Sequence, residues 1–164
     1  LLTKLLLPKI KASQPARIVN ISSHAHKLIP EGGIEFEKLN DPNTHDPRQH
    51  YLQSKIANII FTNELNKRFP EGVQVSRRYY LLRKNDLSFP ETFVSSSISP
   101  DDEAITTLYC ATSPEIEEKN YHGKYFEPFG IEAEKRSSYG YDDNLTKRLW
   151  EFTENLISEK LLQK

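Results

Sequence analysis

Tyr51 and Lys55, four residues apart in Tyr51-Leu52-Gln53-Ser54-Lys55, have the types and spacing for acid–base chemistry. On a helix, residues four apart share a face, so the ammonium stands beside the phenol. A fixed positive charge there favours the phenolate and lowers a phenol pKa from its usual value of about 10. The consequence is a proton donor usable near neutral pH. Spacing alone does not assign this chemistry, because Tyr80-Leu81-Leu82-Arg83-Lys84 repeats it. What precedes each copy separates them. Ala16-Arg17-Ile18-Val19-Asn20-Ile21 predicts a buried strand that delivers Ser22 and Ser23 into a long polar loop ahead of Tyr51. No strand and serine precede Tyr80.

The element that must hold Tyr51 and Lys55 is a helix carrying Ile56, Ile59, Ile60 and Leu65. Asp46 suits its N-cap, Pro47 its first position, and Gln49 is placed to close a capping box. The helix is expected to begin just before Tyr51 and to run to about Phe69, stopped by Pro70 and Gly72. Between Ser23 and this helix the chain passes Pro30, Gly32, Gly33, Asn40, Asp41, Pro42 and Asn43, a length that predicts substrate-facing or mobile structure. Gly72-Val73-Gln74-Val75 predicts a second strand, beside and parallel to residues 16–21. Ser99 and Pro100 open another helix, with Ile105, Leu108 and Tyr109 as its apolar stripe, ending near Pro114. Gly123-Lys124-Tyr125-Phe126 reads as a short strand with Tyr125 or Phe126 inward, and a polar loop follows through Gly140. Asp142 or Asp143 begins a last helix, with Leu145, Leu149, Phe152, Leu156 and Ile157 at helical spacing and Trp150 at its edge.

The 164 residues suffice for one domain with a real core, and nothing demands two. A net charge of -1 implies neither a nucleic-acid nor a membrane partner. Arg77, Arg78, Tyr79, Tyr80, Arg83 and Lys84 mix charge with aromatic rings, a combination that can hold single strands, but no recognised module surrounds them. Residues 1–11 are apolar yet too short for a membrane span, which needs about 20. Together with the absence of an initiating methionine, they suggest a piece of something longer. Cys110 is the single cysteine and reads as a small buried apolar residue. His24, His26, His45 and His50 show no metal-ligand spacing, so no metal site is expected and they read as solvated loop residues. Ser23 beside His24 lacks the glycine elbow of a serine hydrolase.

Strand, serine pair, loop and Tyr-x-x-x-Lys helix, in this order, resemble the short-chain dehydrogenase/reductase family. The words Arg17-Ile18-Val19-Asn20-Ile21-Ser22-Ser23 and Tyr51-Leu52-Gln53-Ser54-Lys55-Ile56-Ala57-Asn58 are similar to its retinol-dehydrogenase-like branch. The resemblance covers roughly residues 1–75. It fails over about 76–98, where the family has a His-Pro-Gly-like turn and a threonine, and it returns more weakly from Ser99. It implies an α/β fold: a partial Rossmann-type three-layer fold with a truncated parallel sheet, residues 1–164 forming a single incomplete NAD(P)-binding-type domain in which 76–98 is an atypical, poorly ordered segment. In that branch the loop after the serines lies over the active site.

The implied activity is hydride transfer between NADP or NAD and an alcohol or carbonyl substrate. Ser23, as the second serine of the pair, is expected to hold the substrate oxygen, with Ser22 as packing. Tyr51 gives or takes the proton, while Lys55 lowers the Tyr51 pKa and bonds the cofactor ribose. None of the six glycines forms a phosphate fingerprint. The family's active-site asparagine and the residue that chooses NAD or NADP are likewise not in this sequence. Weak or no activity is therefore expected of the chain alone, the alternative being a non-catalytic truncated remnant or interaction fragment. Self-association through residues 1–11 and 48–69 and a cytoplasmic location complete the expectations.

Overall fold

A leucine-rich helix, α1 (Leu2–Ala12), leads into strand β1 (Ala16–Ile21), and three short 3-10 turns at His24–Leu28, Phe36–Lys38 and Pro42–Thr44 then carry the chain to helix α2 (Pro47–Arg68). Strand β2 (Val73–Arg78), helices α3 (Pro100–Thr112) and α4 (Glu115–Glu118), strands β3 (Lys124–Glu127) and β4 (Ile131–Glu132) and helix α5 (Asp143–Leu162) follow. The computed structural model describes residues 1–44, 46–69, 73–78, 99–133 and 137–162, with the backbone alone for 73–78, 100 and 103. The second Tyr-x-x-x-Lys copy, His45, Pro70, Gly72 and residues 79–98 lie outside the described residues.

The sheet order is β1-β2-β3-β4. β1 and β2 run parallel from Ala16↔Val73 to Ile21↔Arg78, so the two expected strands do lie side by side. β2 continues three residues beyond Val75, so against the sequence expectation a strand carrying Ser76 does run ahead of Tyr80; it pairs parallel with β3, while β4, which the sequence reading took for loop, adds antiparallel. Successive strand residues point to opposite faces, and β3 shows both. Tyr125 packs with Ile56, Ile59 and Ile60 of α2, Leu145 of α5 and Ile29, Ile34 and Phe36 of the loop. Phe126 packs with Cys110 of α3 and Ile116 of α4. Helices therefore cover both faces, giving the three layers of a partial Rossmann-type α/β fold. Each of the fully buried isoleucines contributes about 1.5–3 kcal/mol of transfer free energy.

Several expectations are corrected. β1 is half-buried rather than buried, and Ile21 is 42% exposed. Among the described residues β2 is its one neighbour, so β1 is an edge. The loop after Ser23 is a folded pad: Ile29, Ile34 and Phe36 join the core, Gly32 N donates to Tyr139 Oη at 2.8 Å, and Glu35 N donates to the buried Gln53 Oε1 at 2.9 Å. Its histidines are not uniformly solvated either, since His26 is fully buried. On α3, Ile105 and Leu108 face solvent, while Thr106 and Cys110 are buried. Thr106 decides this orientation by donating to Glu127 O and accepting from Gly130 N, both at 3.3 Å.

Candidate functional site

The first turn of α2 is fixed by its cap. Asp46 Oδ1 accepts from Arg48 N at 2.9 Å and Gln49 N at 3.2 Å, with Pro47 inside the first turn. The capping box stays half-made, because Gln49 Nε2 donates to Glu35 Oε2 at 2.5 Å and so ties the helix to the loop instead. Tyr51 and Lys55 follow one turn apart, and the Lys55 ammonium lies 5.1 Å from the centre of the Tyr51 ring. Burial pulls the Lys55 pKa below its ordinary value. Among the described residues no carboxylate pairs with this ammonium, so its N–H donors are available to hydroxyl acceptors.

The serines arrive from β1. Ser22 and Ser23 are both fully buried. Ser22 Oγ donates to Lys55 O at 2.7 Å, pinning the strand end to the helix at the lysine itself. Ser23 caps the next 3-10 turn, its Oγ accepting from Ala25 N at 3.2 Å. Ala25 packs with Leu52, Leu28 and Tyr51, which seats the serine's turn against the tyrosine's turn. Ser23, Tyr51 and Lys55 thus belong to two packed elements clamped by Ser22.

Further positioning contacts were not assigned from sequence. Asn58 Nδ2 donates to Ile21 O at 2.8 Å, and Asn20 Nδ2 donates to Thr62 Oγ1 at 2.9 Å, which itself donates to Asn58 O at 2.8 Å. These bonds lash the end of β1 along α2. His26 bonds Ser23 O through Nδ1 and meets the Tyr125 ring edge-on, centroids 5.6 Å apart. An asparagine in an apolar strand and another at i+3 from Lys55 were the signals available for the first two. His24 is half-buried and its pKa falls below the usual 6.5, chiefly through burial and then through the charge of Lys27. Among the described residues no three His, Cys, Asp or Glu side chains gather as metal ligands.

Comparison with known proteins gives relatives along nearly the whole chain. It is 34% identical over 173 residues to Retinol dehydrogenase 13 from Mus musculus, an alignment covering 96% of this chain and 50% of that protein. It is 32% identical over 176 residues to the Short-chain dehydrogenase TIC 32 A, chloroplastic, of Brassica napus, covering 96% of this chain and 53% of that protein. A solved structure of an uncharacterised protein from Mycobacterium Paratuberculosis superposes with a TM-score of 0.68 at 26% identity, covering 94% of this chain and 53% of that one. The chain spans about half the length of the curated relatives it matches. No family model matches it.

Proposed function

We propose, for a chain that belongs to the short-chain dehydrogenase/reductase family, that Ser23, Tyr51 and Lys55 are the proton-handling side of an NAD(P)-dependent oxidoreductase acting on an alcohol/carbonyl pair. The observation that carries this reading is the half-buried Lys55 ammonium seated on the Tyr51 ring with no carboxylate partner among the described residues. A structural lysine on a helix surface gains from water or a carboxylate, and this one is half removed from water with no carboxylate among the described residues to compensate. Its donors fit the hydroxyls of a cofactor ribose, with Tyr51 as the second contact. The nicotinamide supplies or accepts the hydride when bound. Tyr51 moves the proton at the substrate oxygen, Ser23 holds that oxygen through its O–H, and Lys55 favours the phenolate so that Tyr51 can work near neutral pH. Groups that would receive the pyrophosphate do not occur as a glycine fingerprint in this sequence.

The second reading, a non-catalytic remnant or interaction fragment, draws on the complete burial of Ser23 and on α1, where Leu2 and Leu5 are 71% and 67% exposed and no residue is buried. In it, α1 and α2 meet other copies of the chain. Among the described residues no helix is long and apolar enough to cross a membrane. The cytoplasm is the compartment we propose under either reading.

Carbonyl reduction, followed by loss of NADPH or NADH absorbance over a panel of aldehydes and ketones, separates the two. Tyr51→Phe removes the proton donor and keeps the ring under Lys55. The oxidoreductase reading expects turnover to fall by about a hundredfold to ten-thousandfold in this variant. No turnover above background with any carbonyl, or equal turnover in Tyr51→Phe, favours the remnant.

A further inference from the structure

Helices α1, α2 and α5 border a cavity of about 500 Å³, away from the turn of α2 that carries Tyr51 and Lys55. Its walls are Leu7 of α1, Phe61 and Leu65 of α2, and Leu149, Trp150 and Ile157 of α5. Phe61 lies ten residues beyond Tyr51, about 15 Å along the helix at about 1.5 Å per residue, so this space is separate from the site above. The volume falls within the roughly 300–1,000 Å³ of small-molecule sites, and the apolar lining is of the same kind.

The polar groups around it are of two sorts. Its charges are already matched: Lys4 pairs with Glu154 at 2.6 Å, joining α1 to α5, and Arg68 pairs with Glu64 at 2.8 Å while lying 4.5 Å from the Trp150 ring centre. Each charged side chain that lines it among the described residues therefore already has a counter-ion. Its hydroxyls are different. Thr146 and Thr153, two turns apart on α5, both line the cavity; Thr146 is 2% exposed with its Oγ1 lacking any hydrogen-bond partner. A buried hydroxyl without a partner costs free energy that a ligand oxygen recovers.

We propose that this cavity binds a neutral, mainly hydrocarbon molecule carrying one hydroxyl or carbonyl, its chain among the apolar walls and its oxygen bonded to the α5 threonines. Trp150 is the single tryptophan of the chain, so its emission reports on this cavity directly. Titration of the full chain with 1-decanol is expected to give a saturable change in that emission. Affinity should drop about tenfold in Thr146→Val or Thr153→Val, hold in Thr146→Ser, and be unchanged in Tyr51→Phe, which marks the cavity as distinct from the catalytic site. Decanoate, with a charged head on the same chain, should bind at least about tenfold more weakly. The proposal is overturned by a response that does not saturate, by undiminished affinity in both valine variants, by decanoate binding as tightly as decanol, or by loss of binding in Tyr51→Phe.

Discussion

Ser22 and Ser23 are neighbours of equal burial whose hydroxyls make different contacts. Ser22 donates to the Lys55 carbonyl, and Ser23 accepts from Ala25 N. Ser22→Ala should therefore cost about 0.5–1.5 kcal/mol, the net value of one hydrogen bond, and leave turnover near that of the parent. Ser23→Ala removes a cap of about 1 kcal/mol and also the proposed contact to the substrate oxygen. Urea midpoints of the two should be similar while turnover separates them by about a hundredfold. His24 supplies a pH dependence of stability. Its folded pKa lies below the ordinary 6.5, so between the two values the unfolded chain binds more protons, and stability rises with pH across that window. Acidification through 6.5 should lower the urea midpoint until the depressed pKa is passed. His24→Gln should flatten that slope, and an unchanged slope would place the titrating group elsewhere.

At the scale of elements, the turn that joins β3 to β4 orients α3. Gly130 sits at φ +75°, and a Cβ built there would stand 2.9 Å from Cγ of Tyr109. Gly130→Ala combines left-handed backbone strain with a collision against a ring held edge-on to Phe126. We expect a loss of about 2 kcal/mol, read as a lowered thermal midpoint, and an unchanged midpoint would show the turn to be adaptable. Helices with an end signal were legible in the sequence. Asp46-Pro47 and Ser99-Pro100 marked starts that the structure keeps, because caps are local chemistry. Which face a helix buries was less so. Ile105 and Leu108 outrank Thr106 in hydrophobicity, yet Thr106 goes inward because two backbone groups of a distant turn need it. The folded loop and buried His26 escaped for the same reason: their partners, Gln53, Tyr139 and Tyr125, are remote in sequence. Tyr51 and Lys55 were readable because i,i+4 spacing on a helix is sufficient to place them together.

For the whole molecule, the sheet and its helices bring two segments of distant sequence, residues 20–26 and 51–62, into one clamped unit. Arg17 strengthens the other side, bonding Glu117 and the carbonyl of Ser113 at the C-terminal ends of α3 and α4. This scaffold holds Ser23, Tyr51 and Lys55, the proposed site, and among the described residues β1 stands at the sheet edge. The relatives align over about half their own length, so the activity of the whole family member is here a proposal resting on Lys55. Its central claim is that the Lys55 ammonium, half-buried over the Tyr51 ring, is there to meet a cofactor. The most direct test is a thermal-unfolding scan of the chain with and without NADP(H) and NAD(H) at millimolar levels. Saturation at one hundred times the dissociation constant adds about 2.7 kcal/mol, a rise of about 5–10 °C for a domain of this size. The account predicts a concentration-dependent rise that Lys55→Ala abolishes; a cooperative transition that ignores both cofactors, or the same rise in Lys55→Ala, would contradict it.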